Sequence, residues 1–359
     1  MRSIALRLSK IFEGANVERI AIINTNIIDS NFLYVSGFTS GIFEDSALIL
    51  NRKSATLITS QLEYGTALLQ KPAEMQVVMA KSRKDFGAAL RKHLNKRTVG
   101  INGGFLPYSY VKLIRKSKPK SIIDVSSALG SARLVKDSNE IALMRKANAI
   151  AKKAFAQIPA FFREGVTEKQ LAAHFDYLMM RNGADGPSFP TIVSFGRNAA
   201  LPHHMPDDTA LKGNSILLID AGAKYNNYCS DLTRTFIFKP QKDSRKYAKI
   251  MDMYRTVKKA QELALHEIKP GAKAYMPHVA AENYINAASN GIYKGRFIHS
   301  VGHSIGIDVH DGFGLSSGYK FKLKPGMVFS DEPGIYIEGF GGVRIEDDVL
   351  VTEKGAEFF

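Results

Sequence analysis

The chain has 359 residues, 49 Lys and Arg against 34 Asp and Glu for a formal charge of +15 at pH 7, 45% hydrophobic residues and one cysteine. That apolar content excludes intrinsic disorder and at this length suits two domains. A lone Cys229 excludes an internal disulfide and a thiolate zinc ribbon and fits a reducing cytoplasm, while the absence of an eighteen-residue apolar run excludes a spanning helix, so no membrane is expected.

A basic surface binds polyphosphate without a sequence code. Here the basic clusters, Arg91-Lys92-His93 with Lys96-Arg97 and Lys112 to Lys120, fall in helix-like segments without interleaved aromatics. Nucleic acid is therefore not expected as a partner, and the charge reads as solvated helix faces with a field that draws in anionic substrates.

Along the chain, Met1 to Phe12 carries Arg2, Arg7 and Lys10 but lacks the apolar core and cleavage site of a leader, and its Ile4, Leu6, Leu8 and Ile11 predict a first helix. From Arg19 to about Val125, β-rich runs (Ile20 to Ile23, Ala47 to Leu50, Thr56 to Thr59, Gln76 to Met79) alternate with helical stretches such as Asp85 to Asn95, which predicts a mixed α/β domain. The Ser/Gly-containing stretch Ser126 to Ser131 interrupts the pattern, which places a boundary between a domain of residues 1–127 and one of residues 128–359. Helices are then predicted over Ser138 to Phe162, with Asp137 or Ser138 as cap, over Thr167 to Asn182, and over Ser244 to Ile268, the last ended by Pro270-Gly271. They flank strands, an α+β arrangement.

Those strands form two hairpins. The first, Ser215 to Lys239, turns near Tyr225-Asn226-Asn227, and the second, Met327 to Val351, turns through Gly339 to Gly342. A turn centred between Tyr225 and Asn226 makes Asp220 and Asp231 cross-strand neighbours, and Glu332 and Glu346 are symmetric about Gly339. Either pair alone also fits solvated acids beside a turn. Together, in apolar flanks, they make four carboxylates that repel one another and resist desolvation, which two divalent cations would neutralise. An imidazole from His299-Ser300-Val301-Gly302-His303 completes a mostly oxygen shell suited to manganese, cobalt or iron, with zinc possible. Two metals that close can share a hydroxide and stabilise an oxyanion.

Five ordered blocks carry a resemblance: Leu218 to Ala223, Ser230 to Thr235, His299 to His310, Glu332-Pro333-Gly334-Ile335-Tyr336 and Gly342 to Asp347. From about Leu134 onward the chain resembles the metallopeptidases of the pita-bread fold, which include methionine aminopeptidase, Xaa-Pro aminopeptidase and prolidase. The resemblance implies a C-terminal pita-bread (creatinase/aminopeptidase) domain with a pseudo-twofold repeat. Asn31 to Phe38 resembles a piece of the smaller N-terminal creatinase-type α/β domain that prolidases add for substrate access and dimerisation.

By that resemblance Asp220 binds one metal, Asp231 and Glu346 bridge both, and His303 and Glu332 complete the set, with Glu332 also general base and acid. The run Ser194 to His203 resembles the segment of a substrate-binding histidine, which falls on His203, and His310 resembles a second; Arg344 is a further candidate for contact with substrate, or else a support of the fold. His204 is expected as a solvated neighbour, His299 as a residue that packs or hydrogen-bonds near the ligand loop, and Cys229 as packing. The family departs from this chain at Ser304, where Gly is usual, and at Asp311-Gly312, where many prolidases have Pro-Arg.

The implied activity is hydrolysis, by a metal-bridging hydroxide, of the bond between an N-terminal residue and proline, in a cytoplasmic homodimer acting on small peptides with proline at the second position. The alternatives are a methionine-type or other aminopeptidase of the same fold and a non-catalytic binding relative.

Overall fold

The computed structural model describes residues 4–359, and the chain divides into two compact units, Met1–Arg133 and Leu134–Phe359. Among the described residues, no helix is long and apolar enough to cross a membrane.

The first unit opens on α1 (Ala5–Gly14), which buries Leu8, Ile11 and Phe12 and leaves Leu6 exposed; the first three residues of the predicted N-terminal helix, Arg2 among them, lie outside the described residues. A six-stranded sheet follows, built from β1 (Arg19–Ile23), β2 (Ala47–Leu50), β3 (Ala55–Ser60), β4 (Met75–Ala80), β5 (Thr98–Ile101) and β6 (Ser121–Asp124) in the order β4-β3-β2-β1-β5-β6. β1 and β3 run antiparallel to β2, while β3–β4, β1–β5 and β5–β6 are parallel, so every strand but β2 points one way. The connecting helices are α2 (Ser30–Ser36), α3 (Gln61–Gln70), α4 (Arg83–Leu94) and α5 (Tyr108–Lys116). Ile20 to Ile23 are all buried, as expected of a strand covered on both faces.

The Ser126 to Ser131 stretch is not a linker. It begins α6 (Ser126–Leu134), started by Asp124, whose Oδ1 accepts from Ser126 N at 2.9 Å. A side-chain oxygen that satisfies a first-turn N–H favours a helix even in a Ser-rich run, and the compact unit runs on to Arg133, past the residue 127 expected from composition.

In the second unit, α7 (Ser138–Gln157) starts with a reciprocal capping box between Asp137 and Glu140. It stops short of Phe162 because Pro159, which has no N–H to donate, tightens the chain into a 3-10 turn over Ile158–Phe161. α8 (Glu168–Arg181) is capped by Thr167, α9 (Arg245–Glu267) by Ser244, and α10 (Met276–Ala287) follows. The strands are β7 (Gly186–Pro187), β8 (Ile192–Phe195), β9 (Ser215–Ala221), β10 (Ala223–Tyr225), β11 (Tyr228–Cys229), β12 (Leu232–Phe238), β13 (Gly302–His303), β14 (Gly314–Leu315), β15 (Val328–Asp331), β16 (Gly334–Ile337), β17 (Gly341–Arg344), β18 (Asp347–Val351) and β19 (Ala356–Phe358).

β9 shows how helices cover both faces of these strands. Ile216 and Leu218 join the cluster of Ile250, Met253 and Val257 from α9, whereas Leu217 and Ile219 join that of Ile150, Phe175 and Leu178 from α7 and α8. Period-two alternation then puts Asp220 on the Leu218 side.

The register of the first hairpin differs from the expected one. Tyr225 pairs with Tyr228 and Asp220 with Thr233, so the turn is Asn226-Asn227, both at positive φ (46° and 73°), the geometry of a tight hairpin that Asn tolerates. Asp231 lies two residues from Thr233, diagonal to Asp220 and on the same face, because a shift of two preserves the side of the sheet. In the second hairpin Gly334 pairs with Arg344 and Asp331 with Asp347, which sets Glu332 opposite Glu346 at the break between the two ladders.

Candidate metal centre

The two hairpins meet along β12. Glu346 N donates to Thr233 O at 3.2 Å, Thr235 Oγ1 to Arg344 O at 2.8 Å, and Arg234 Nη1 to Glu346 O at 2.5 Å. Asp220 and Asp231 from one hairpin thereby face Glu332 and Glu346 from the other. β13 brings His303 to the same place: its Nε2 lies 3.5 Å from Asp231 Oδ2 and 3.4 Å from Glu332 Oε1. Ligand-capable atoms of Asp231, His303 and Glu346 all lie within 4.8 Å of one another.

Such an arrangement is unfavourable without a cation. Burial, then the charges of Glu346, Asp220 and Glu332, raises the Asp231 carboxyl well above the ordinary range. Burial followed by Glu332 and Asp220 does the same to Glu346, and burial pushes Glu332 up to about 7 against the opposing field of Arg344. Asp220 Oδ1 and Asp231 Oδ1 are buried without a hydrogen-bond partner. His303 Nδ1 lies 3.4 Å from Ser304 O, which puts its proton there and turns the bare Nε2 lone pair toward two carboxylate oxygens. Burial, with the field of His310 added, pushes its pKa down to about 3, so the ring stays neutral. Acceptors aimed at acceptors, with orphaned buried oxygens beside them, form a donor set that fits divalent cations.

A surrounding layer orients these groups. Arg344 is buried; its Nη2 donates to Asp220 Oδ2 at 2.6 Å, its Nη1 to the Tyr336 hydroxyl at 2.8 Å and its Nε to Thr233 Oγ1 at 3.0 Å. Of its two expected roles, contact with substrate and support of the fold, these protein partners favour the second, and its place opposite Gly334 on β17 lies between the hairpins. Thr233 Oγ1 donates to Glu346 Oε2 at 2.6 Å. His299 Nδ1 lies 2.8 Å from Ser300 O, so its Nε2 accepts from the Tyr336 hydroxyl at 2.8 Å, and burial pushes its pKa down to about 4. Asp348 accepts from Asn148 Nδ2 at 2.8 Å and from Asp231 N at 3.2 Å. Asp331, opposite Asp347, is fully buried with no hydrogen-bond partner for either carboxyl oxygen, and burial together with Asp347 raises its pKa well above the ordinary range.

His203 and His310 lie on the solvent-open side, with the His310 ring 4.1 Å from that of His303, centroid to centroid. The neighbouring His204 is not the solvated residue expected. Its Nε2 is 2.7 Å from Oε2 of Glu168, a fully buried carboxylate at the first position of α8. Glu168 also accepts from Phe195 N at 2.6 Å, Asn198 Nδ2 at 3.0 Å and Asp207 N at 3.1 Å. With four donors on two oxygens, the Glu168, His204 and Asp207 group is a clamp on the loop that carries His203. A buried pair, Lys136 and Asp311 at 3.4 Å, holds the residue after His310.

Ser304, in place of the usual glycine, is fully buried and accommodated. Its Oγ accepts from Phe313 N at 3.2 Å, and its own N donates to Phe313 O at 2.7 Å. The close approaches fall elsewhere: a β-carbon on Gly302 would stand 2.0 Å from Ser330 O, and one on Gly222 would stand 1.8 Å from Ser230 O. Cys229 is buried, its Sγ 3.2 Å from Ile307 O, and burial pushes its thiol up to about 12, so it packs and does not attack.

The chain is also similar to known proteins. Residues 142–353 match the model of metallopeptidase family M24, and residues 6–135 match the creatinase/prolidase N-terminal domain. The chain is 35% identical over 352 residues to a Pyrococcus furiosus protein named Xaa-Pro dipeptidase, covering 98% of this chain and 95% of that one. Among solved structures, the prolidase from Pyrococcus furiosus is similar with a TM-score of 0.85 at 34% identity, covering 98% of each chain. An X-Pro aminopeptidase from Thermotoga maritima is similar with a TM-score of 0.86 at 30% identity, covering 97% of each chain.

Proposed function

The chain belongs to metallopeptidase family M24, and on that premise we propose that it hydrolyses the bond between an N-terminal residue and proline in small peptides, with two divalent ions held by Asp220, Asp231, His303, Glu332 and Glu346. The observation that carries this reading is the neutral His303 Nε2 aimed at Asp231 and Glu332 inside a ring of four buried or half-buried acids. The names of its full-length relatives, Xaa-Pro dipeptidase and X-Pro aminopeptidase, support the proline preference.

When bound, the ions supply Lewis acidity and a water acidified toward neutral pH. Glu332 takes the proton from the attacking water and returns it to the proline nitrogen, which leaves as a secondary amine and needs that proton. Ser330 Oγ donates to Glu332 Oε1 at 3.3 Å and steadies the carboxylate for this exchange. His310, open to solvent above His303, donates to the scissile carbonyl oxygen as negative charge develops there, and His203 contacts the peptide beyond the scissile bond. Arg344 acts through Asp220 and Tyr336 and does not touch substrate.

An oxygen-rich shell with one imidazole favours manganese or cobalt over the thiolate-loving metals, with iron and zinc next. A homodimer is supported by the first unit, where Leu62 and Leu69, seven residues apart on α3, are 91% and 90% exposed. The single, buried Cys229 suits a cytoplasmic setting. The test is a substrate panel on metal-stripped protein with and without added Mn²⁺ or Co²⁺. Metal-dependent release of the first residue from Xaa-Pro peptides is expected; cleavage of Met-Ala peptides alone, or turnover indifferent to metal, overturns the assignment.

A further inference from the structure

The chain's positive charge is concentrated in a small part of the first unit. Residues 81–120 hold twelve lysines and arginines and one acid, Asp85, a surplus of +11 out of the +15 of the whole chain. They form α4, β5, α5 and the approach to β6. Among the described residues, Arg97 alone of these twelve has a carboxylate within ion-pair distance, Glu18 at 2.8 Å. So large an unpaired surplus repels itself and attracts anions.

A cavity of about 980 Å³ opens within this charge. Lys81 lines it from just before α4, Arg83 and Lys84 from the first turn of that helix, Arg91 from near its end, and Lys116 from the end of α5. The acid among its lining residues, Asp45, is already engaged by the Tyr110 hydroxyl. Phe86 and Leu113 add an apolar surface between the cations.

Its position in the sheet is equally specific. Ser60, the last residue of β3, and Ala80, the last of β4, both line it. β3 and β4 are parallel neighbours, but α3 connects them outward to the sheet edge whereas α4 leads back across the sheet to β5. Right-handed crossovers send two such helices to opposite faces. In agreement, Leu90 and Leu94 of α4 belong to a core cluster that Ala67 of α3 does not join. The cavity therefore occupies the crevice beyond the carboxyl ends of parallel strands whose connections diverge, which is where open α/β sheets bind ligands.

We propose that this cavity is a binding site for a nucleoside polyphosphate, with the phosphates on the five lining cations and the base against Phe86 and Leu113. A bounded ligand suits it better than a polymer. Tyr108, beside the lining residue Ser109, is an exposed aromatic next to the cavity, with Lys112 and Arg115 at 5.0 and 5.9 Å from its ring, and a single aromatic at the rim is no row of stacking platforms for an extended strand. The site is independent of the peptidase reading, and its test reads binding alone.

Isothermal titration of the full-length, metal-loaded protein with ATP, AMP, inorganic triphosphate and a single-stranded oligoadenylate decides the matter. ATP is expected to bind at one site, with AMP, inorganic triphosphate and the Lys81→Glu/Lys116→Glu variant each weaker by about tenfold or more, a difference well within the reach of such titrations. These side chains are exposed, so the variant should keep its melting temperature; should it not, Lys84→Glu/Arg91→Glu serves in its place. No heat with ATP at millimolar concentration, equal affinity for inorganic triphosphate, ATP binding that survives both variants, or tighter binding of the oligonucleotide than of ATP would each overturn the proposal.

Discussion

Arg344 donates to Asp220 at 2.6 Å across 124 residues of chain, and that single contact decides which oxygen of Asp220 remains free. With Oδ2 taken, Oδ1 is the oxygen left buried and without a hydrogen-bond partner. A planar guanidinium can hold Asp220, Tyr336 and Thr233 at once, and an ammonium cannot reproduce that fork. Arg344→Lys is expected to weaken divalent-metal affinity by roughly ten- to a hundredfold, the usual cost of losing a group that orients a ligand. Titration of metal into the apo-variant measures it, and an unchanged affinity would refute the orienting role.

Metal removal should couple to pH in a definite direction. In the metal-free folded chain, burial and mutual repulsion hold Asp231 and Glu346 protonated above their ordinary range and push Glu332 up to about 7. The unfolded chain releases those protons near the ordinary carboxyl range, so the folded state binds more protons between there and about pH 7, and stability falls as pH rises across that window. Cations bind the deprotonated set and remove the effect. The melting-temperature gain on adding Mn²⁺ is thus expected to grow from about pH 5 to about pH 8. A gain that shrinks over the same interval contradicts the electrostatic account.

His203 and His310 are exposed, so their loss should leave the fold intact and act on turnover. His310→Ala is expected to lower kcat by about 10² to 10³, as for other donors to a developing oxyanion. His203→Ala should raise KM more than it lowers kcat, because its contact lies away from the reacting atoms. Steady-state kinetics on an Xaa-Pro tripeptide separate the two, and identical effects on both constants would dissolve the division of labour.

Glu168 accepts four hydrogen bonds, one from Phe195 at the end of β8 and three from the segment after it that carries His203. Glutamine in its place offers one acceptor oxygen and turns an NH₂ toward donors. Glu168→Gln is expected to lower stability by about 1–3 kcal/mol, the penalty for unsatisfied buried groups, and to raise KM without altering metal affinity. If KM stays fixed while metal affinity drops, the clamp serves the ion site and not the loop.

How far local sequence patterns reached can be judged residue by residue. Period-two alternation and a glycine turn place Glu332 opposite Glu346, because both signals are local. For Asp220 and Asp231 the same reasoning errs by two residues, since Asn226 and Asn227 both accept positive φ and take the turn; the face survives because the error is even. Which of two adjacent histidines turns inward has no local signature, and His204, not His203, is the one held by Glu168. Nor do spacing patterns reveal that Arg344 serves Asp220 or that Asp331 is buried opposite Asp347, for those partners are chosen by packing across long stretches of chain.

Gly222 and Gly302 set a boundary for anyone who would redesign this centre. Each lies so near a carbonyl, that of Ser230 or Ser330, that even alanine would push apart strands bearing the acids. Libraries seeking altered metal selectivity or a roomier cleft should hold both positions constant and diversify the solvent-facing histidine loops, where a misplaced atom costs affinity without dismantling the scaffold.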